Sequence, residues 1–347
     1  MTRATVEAPR GARVVTLRVA AVIEETATAR SLVFEVPEHA ADRFAYRPGQ
    51  FLTLRIPGEP PVARCYSLAS SPCTGEPPKV TVKRTEGGYA SNWLCDNISV
   101  GDSIDVLPPA GTFTPASLDE DLLLWAGGSG ITPVLSILVS ALVRGRGKVV
   151  LFYANRDRDS VIFDRILDEL AQRYPERLTV THWLQSREGV PTVDQLTEFA
   201  APYADHHSYL CGPGPFMAAV TEALADRPRE RVTTEVFVSL SGDPFADPDP
   251  IVDDADADTA EVDVELDGTV HALRWPRERT LVDVMLAGGL DVPYSCRAGE
   301  CGSCACTVVD GEVTRGESGL LDDDDIAAGY ALACQARPKS DTVRIRF

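Results

Sequence analysis

Four cysteines near the C-terminus are spaced for metal chemistry. Cys296, Cys301 and Cys304 share one short loop, and Cys334 follows after 29 further residues. This is the spacing of a [2Fe–2S] cluster, in which two irons share two bridging sulfides and four thiolates converge at tetrahedral angles. A tight loop can supply three thiolates if its backbone also turns N–H groups toward sulfur, and Gly299 and Gly302 suit the unusual dihedrals required. Ser295, Arg297 and Ser303 would surround the thiolates with polar or cationic groups that favour the more negative, reduced cluster. Zinc is the rival, but structural zinc sites usually pair two short cysteine knuckles, and one Cys-x2-Cys with distant singles fits less well. Cys306 lies nearby but out of the pattern and reads as a packing residue in a strand Ala305–Val309.

A second group is Arg64-Cys65-Tyr66-Ser67. Strand period puts Arg64 and Tyr66 on one face. There an arginine can pair with a pyrophosphate, a tyrosine ring can lie on an isoalloxazine, and the Ser67 hydroxyl can hydrogen-bond flavin N5. By itself the segment is equally an ordinary strand with a surface arginine. It gains weight from Gly87-Gly88-Tyr89-Ala90-Ser91, a glycine turn opening a short helix, whose N–H groups and Ser91 hydroxyl suit phosphate. Lys83 reads as a flavin ribityl or phosphate contact, or equally as a solvated strand lysine.

Three further segments suit a dinucleotide. Leu122–Ala126 runs into Gly127-Gly128-Ser129-Gly130-Ile131-Thr132-Pro133, a strand, glycine turn and helix with proline near the helix start. It is not the G-x-G-x-x-G fingerprint and is a weak signal alone. Cys211-Gly212-Pro213-Gly214-Pro215 ends a later strand, at the edge where open α/β sheets bind ligands, so Cys211 can stand beside a nicotinamide or be a buried apolar cysteine. Glu235-Val236-Phe237 closes the region; Phe237 either covers a flavin or belongs to a core.

The elements that must position these residues fall into blocks. With 347 residues, 44% of them hydrophobic and 24% charged, the chain has material for two or three globular cores. From residue 14 to about 110, short runs separated by Pro/Gly turns predict an antiparallel β-barrel or sandwich, with strands Val14–Ile23, Ser31–Val36, Phe51–Ile56, Val62–Ala69, Val80–Lys83 and Ser103–Leu107 and a helix Ala90–Cys95. From Asp121, strands Leu122–Ala126, Val149–Tyr153, Leu178–Trp183, Ser208–Cys211 and Val232–Val236 alternate with helices Pro133–Arg144, Val161–Tyr174, Val193–Phe199 and Pro215–Asp226. Such alternation means a parallel sheet with crossover helices. Ser241–Thr259 is rich in Pro, Gly and Asp and reads as a linker. Beyond it stand a hairpin Glu261–Trp275 turning at Asp267-Gly268, a helix Leu281–Ala287 and the cysteine segment. The expected domains are therefore 12–115, 116–238, a linker 239–259, and 260–347.

Charge and hydropathy narrow the partners. With 52 acidic against 33 basic residues the formal net charge is −19, which repels nucleic acid and anionic membrane and favours a basic protein face. Acidity serving solubility alone is equally consistent. Met1–Arg10 lacks the apolar core of a signal peptide, and nine cysteines without such a leader suggest a cytoplasmic metal protein rather than disulfides. Leu122–Val143 carries no charge, but its glycines and Pro133 split it into a buried strand and helix rather than a membrane span.

In this order the blocks resemble the ferredoxin–NADP reductase-like superfamily, in members with a C-terminal plant-type ferredoxin, over nearly the whole chain. The resemblance implies a multidomain fold: an antiparallel FAD-binding β-barrel, an α/β parallel-sheet nucleotide domain and an α+β β-grasp ferredoxin domain. It places FAD at Arg64, Tyr66, Ser67, Gly88, Tyr89 and Ser91. Nicotinamide nucleotide falls at Gly127–Pro133 and Cys211–Pro215, with Glu235-x-Phe237 as the flavin cover. Arg64-Cys-Tyr-Ser-Leu-Ala-Ser-Ser, Tyr153-Ala-Asn-Arg-Asp, Cys211-Gly-Pro-Gly-Pro-Phe-Met and Cys301-Gly-x-Cys-Ala-Cys-Thr look more narrowly like the reductase components of 3-ketosteroid 9α-hydroxylases. That likeness implies NADH as donor, a Rieske-type terminal oxygenase as acceptor, and steroid catabolism. Reductases of phenylacetyl-CoA epoxidase share most of the plan, and a general electron-carrier module is a further alternative. In NADPH-using relatives a Ser-Arg such as Ser186-Arg187 receives the 2′-phosphate, whereas the steroid-type likeness favours NADH over NADPH.

Overall fold

The computed structural model describes residues 13–237, 239–240, 242–246, 258–316 and 320–347. They form two compact units, residues 15–237 and a second that comprises residues 13–14 and the chain after 237.

The first unit begins with β1 (Val15–Thr26), β2 (Ala29–Glu35), β3 (Phe51–Ile56), β4 (Val62–Ser67), β5 (Lys79–Lys83), α1 (Tyr89–Asn97) and β6 (Ser103–Ala110). The strands pair antiparallel in the order β4-β3-β6-β1-β2-β5, and a bridge between Leu68 and Val80 draws the two edges together. Alternation builds the inside: Val15, Leu17 and Val19 are buried between exposed neighbours and join Phe34, Leu52 and Leu54 in one core. β1 continues past the expected Ile23 to Thr26, because its pairing with β2 runs to Thr26–Ala29.

The same unit continues with β7 (Leu122–Gly127), α2 (Ile131–Arg144), β8 (Val149–Asn155), α3 (Asp164–Arg173), β9 (Leu178–Leu184), α4 (Gln185–Glu188), α5 (Val193–Ala200), β10 (His207–Cys211), α6 (Gly214–Ala223) and β11 (Val232–Glu235). All five strands are parallel, in the order β11-β10-β7-β8-β9. β7 is wholly buried, as expected of a central strand covered on both faces. The chain leaves β7 first to one side and later to the other, so the reversal of strand order lies at β7 and β10.

Three expectations need correction here. The helix predicted over Val161–Tyr174 starts only at Asp164, because Phe163 sits left-handed at φ 63° and blocks an earlier start. The helix predicted over Pro215–Asp226 stops at Ala223. Val236 is not in a strand; β11 ends at Glu235 and Val236 is exposed. The uncharged stretch from Leu122 does divide into β7, a glycine turn and α2, and among the described residues no helix is long and apolar enough to cross a membrane.

The second unit contains β12 (Thr259–Leu266), β13 (Thr269–Pro276), α7 (Leu281–Ala287), β14 (Ala305–Asp310), β15 (Val313–Thr314), α8 (Asp323–Ala327), β16 (Tyr330–Leu332), β17 (Arg337–Pro338) and β18 (Thr342–Arg346). Its mixed sheet runs β13-β12-β18-β14-β16, with β15 and β17 paired beside it. The hairpin turns at Asp267-Gly268, both with positive φ, as its two-residue turn demands. Trp275, Leu281, Met285 and Ile345 pack the core between sheet and α7. Of the expected linker 239–259, residues 241 and 247–257 lie outside the described residues. The remainder is not all linker: Leu240 and Phe245 are buried, and Thr259 already belongs to β12. The expected leader-free N-terminus, Met1–Arg10, also lies outside the described residues.

Candidate functional site

The two glycine turns of the nucleotide region come together at the ends of β7 and β10. Register pairs Ala126 with Cys211, so Gly127 and Gly212 continue from adjacent strand ends. The contact is backbone to backbone: a Cβ on Gly130 would stand 2.1 Å from the Cys211 carbonyl oxygen, and one on Gly212 would stand 3.0 Å from Gly127 N. No side chain fits at either position, which is why these spacings need glycine. Ser129 and Gly130 complete a 3₁₀ turn into α2, where Thr132 donates its hydroxyl to Ser129 O at 3.0 Å. Pro133 is the third residue of α2, within the first turn where an N–H has no helical acceptor.

On the other side of β10, Cys211 pairs with Glu235 of β11. The Ser67 hydroxyl at the end of β4 reaches Glu235 Oε2 at 3.3 Å. One hydroxyl, one carboxyl and one thiol thus meet from the barrel and the parallel sheet, both within the first unit. Burial pushes the Glu235 carboxyl up to about 8, against the opposing hydrogen bond from Ser67. Cys211, 1% exposed, is pushed well above the ordinary thiol value by burial and then by Glu235. It can wall the site as a neutral thiol. Tyr66 is half-buried and packs against the barrel core, with Arg64 beside it; burial raises its phenol. Arg64 Nη1 donates to Ala63 O at 2.7 Å.

The Gly88 turn caps α1. Ser91 Oγ accepts from Thr85 N at 3.1 Å and retains its proton to donate, whereas exposed Tyr89 sends its hydroxyl to Pro57 O at 2.5 Å. Phe237 is 48% exposed, which removes it from the core and leaves it available as a cover. Together these groups fit a flavin: a buried polar edge at Ser67 and Glu235, an aromatic wall and a cationic neighbour.

Beside the glycine turn opens a cavity of about 310 Å³ lined by Gly127, Gly128, Pro213 and Phe216 and by the cations Lys83 and Arg156. Lys83 therefore stands on the nucleotide side: its Nζ is 3.2 Å from where a Gly128 Cβ would be, and burial, then Arg156, lowers its pKa. Sequence reasoning missed Arg156, Asn155, Trp183 and Phe216 as lining residues. A signal existed, since Tyr153-Ala-Asn-Arg-Asp places a cation directly after the C-terminal end of β8. Arg187, the sequence candidate for a 2′-phosphate, is exposed on α4 and is not in that lining; its neighbour Gln185 is.

In the second unit all four predicted ligands converge. Cys296 lies within hydrogen-bond reach of Cys301 and Cys334, and Cys334 also reaches Cys304. Backbone N–H groups point at sulfur as expected: Glu300 and Ala298 donate to Cys296 Sγ at 3.3 and 3.4 Å, Cys296 to Cys301 Sγ at 3.4 Å, and Cys334 to Cys304 Sγ at 3.5 Å. The Cys301 thiol, and then that of Cys334, hold the Cys296 thiol far down against burial, with smaller help from the Ala298 and Glu300 N–H groups. Gly299 and Gly302 have φ of 77° and 71°, the dihedrals the loop was expected to need. Arg297 differs from expectation: its guanidinium pairs with Asp283 and Ala246 O rather than with a thiolate. Cys306 is buried in β14 and bonds Ala331 O, a packing residue as read. Among the described residues, no cysteine is in a disulfide. The donor set and the N–H groups turned toward sulfur fit a [2Fe–2S] cluster.

Family comparisons agree with this division. An oxidoreductase FAD-binding domain matches residues 16–114, an oxidoreductase NAD-binding domain 124–222, and a 2Fe-2S iron-sulfur cluster binding domain 264–339. Phthalate dioxygenase reductase superposes with a TM-score of 0.56 at 24% identity, covering 96% of this chain and 98% of that one. Fold and site together define an oxidoreductase with FAD-binding, NAD-binding and [2Fe–2S] domains in one chain. The ferredoxin reductase component of 3-ketosteroid-9-alpha-monooxygenase from Rhodococcus rhodochrous is 63% identical over 99% of both chains. Its counterpart from Mycobacterium tuberculosis (strain CDC 1551 / Oshkosh) is 52% identical over 100% of this chain and 99% of its own. A component of the 1,2-phenylacetyl-CoA epoxidase from Escherichia coli (strain K12) is 31% identical over 95% of this chain and 97% of its own. The chain belongs to the family of 3-ketosteroid-9-alpha-monooxygenase ferredoxin reductase components.

Proposed function

We propose that the chain carries electrons from NADH by way of FAD and a [2Fe–2S] cluster to a Rieske-type terminal oxygenase, in the 9α-hydroxylation of 3-ketosteroids. The observation that carries the electron-transfer reading is the meeting of Ser67, Cys211 and Glu235 beside the glycine turns, with a four-thiol site in the same chain. The steroid assignment is supported by identity twice as high to steroid-type reductases (63%) as to the epoxidase component (31%).

When bound, FAD exchanges two electrons at once with a nicotinamide and one at a time with an iron–sulfur cluster. The chain's residues place and tune. Arg64 offers a guanidinium to a diphosphate, and Gly88, Tyr89 and Ser91 offer a turn, a ring and a hydroxyl to the same group. Tyr66 would give the flavin an aromatic wall, and the exposed Phe237 would serve as its cover. Ser67 and Glu235 hold a proton at the flavin edge, since Glu235 is largely protonated at neutral pH. Lys83 and Arg156 offer charge to the dinucleotide phosphates at the cavity. Cys296, Cys301, Cys304 and Cys334 would hold the cluster. On this reading 12–115, 116–238 and 260–347 are the working domains, and free thiols throughout suit a cytoplasmic setting.

NADH is the proposed donor, supported by the exposure of Arg187 outside the cavity lining. Steady-state kinetics with both donors decide this; higher kcat/KM with NADPH overturns it. Reconstitution with a purified Rieske oxygenase and androstenedione should yield the 9α-hydroxy product. A competent assay without product withdraws the steroid assignment, and loss of ferricyanide reduction in Arg64→Ala is expected from loss of flavin.

A further inference from the structure

We propose that Tyr153 is the positioning residue of the nucleotide crevice, its hydroxyl holding the glycine turn in the conformation that receives the dinucleotide. The inference rests on the reading above that the Gly127–Pro133 turn contacts that ligand. Tyr153 lies in β8, is 0% exposed, and is paired through the sheet with Ala126 of β7 and His182 of β9. Its Oη donates to Gly128 O at 3.0 Å and accepts from Ile162 N at 3.3 Å. One oxygen thereby ties the turn after β7 to the turn before α3.

Both tied turns contain a residue that would not stay put unaided. Gly128 is at φ 52° and, having no Cβ, has wide conformational freedom. Phe163, next to Ile162, is left-handed at φ 63°, a conformation that costs a non-glycine residue and persists only where its surroundings enforce it. Burial raises the phenol far above its ordinary value, so the donor to Gly128 is present at every working pH. The hydroxyl is not needed to fill space, because the ring belongs to the buried apolar core on the parallel sheet, which phenylalanine would fill as well. Gly128 in turn lines the cavity, with Lys83 Nζ over it. Freed of the bond, the turn populates other conformations, and apparent affinity falls by the fraction lost.

The test is Tyr153→Phe in the full chain with flavin and cluster in place. Anaerobic stopped-flow reduction across NADH concentrations gives the dissociation constant and limiting rate, and NAD+ titration gives an independent affinity. The expected result is a roughly tenfold weaker dissociation constant for both ligands, the loss of one hydrogen bond's worth, with a limiting rate within about twofold. Amide exchange should accelerate at residues 127–130 and 161–163 in the ligand-free variant. A variant that melts lower yet binds NADH and NAD+ with unchanged affinity overturns the proposal, since a merely structural hydroxyl would behave so. Wild-type protein whose reduction shows no saturable dependence on NADH removes the functional reading itself, and the proposal with it.

Discussion

Glu235 is an acid held against its solution preference, and its charge state has a measurable consequence. Its folded-state value is raised from 4.5 to about 8, so the folded protein binds a proton here that the unfolded chain has released above its own lower value. The contribution to stability is complete below about 4.5 and is lost as pH climbs through about 8. Denaturant unfolding between those limits should show stability falling with pH, and Glu235→Gln, neutral throughout, should flatten that slope. An identical slope in the variant would mean other groups set it. Single residues were also where sequence reasoning was least complete. Ser67 and Glu235 were both singled out, but 168 positions separate them, and no local pattern announces a hydrogen bond over that distance.

Elements place these residues, and they do so through close approach. Gly130 is 2.1 Å, at its absent Cβ, from the carbonyl of Cys211, so Gly130→Ala must push β7's turn and β10 apart. That displacement is backbone against backbone and cannot be absorbed by a flexible side chain. We expect a loss of several kcal/mol, read as a lower denaturant midpoint, together with weakened NADH binding. Wild-type stability in Gly130→Ala would contradict the contact. The strand and helix sequence was legible because periodicity marks elements: Phe51–Ile56 and Leu281–Ala287 fall where patterning put them. Val161–Phe163 was not, since its apolar residues look helical and only Ile162's bond to Tyr153 and the left-handed Phe163 take them out of α3. The cavity cations were illegible for a related reason. Lys83 ends a strand of the barrel and Arg156 follows a strand of the parallel sheet, and only the cavity they both line gives either one a place in the crevice.

At the scale of the molecule the two units have separate cores, and their chemistries should separate as well. Cys304→Ser removes one of the four convergent thiols. NADH-dependent ferricyanide reduction should remain within about twofold of wild type while coupled oxygenase turnover disappears. Loss of both activities would mean that the cluster chiefly maintains the fold.

The spacing of the four thiols carries a consequence for how the protein matures. Three sit within one loop, but the fourth lies beyond 29 intervening residues that include β14 to β16, and Cys304 and Cys334 are themselves part of the second core. Iron insertion therefore cross-links a long stretch of chain as well as installing a redox group. A cell short of iron would assemble residues 15–237 and leave the C-terminal part open to proteases. On the proposed reading, what remained would keep its flavin and nucleotide domains but lack the cluster that passes their electrons on.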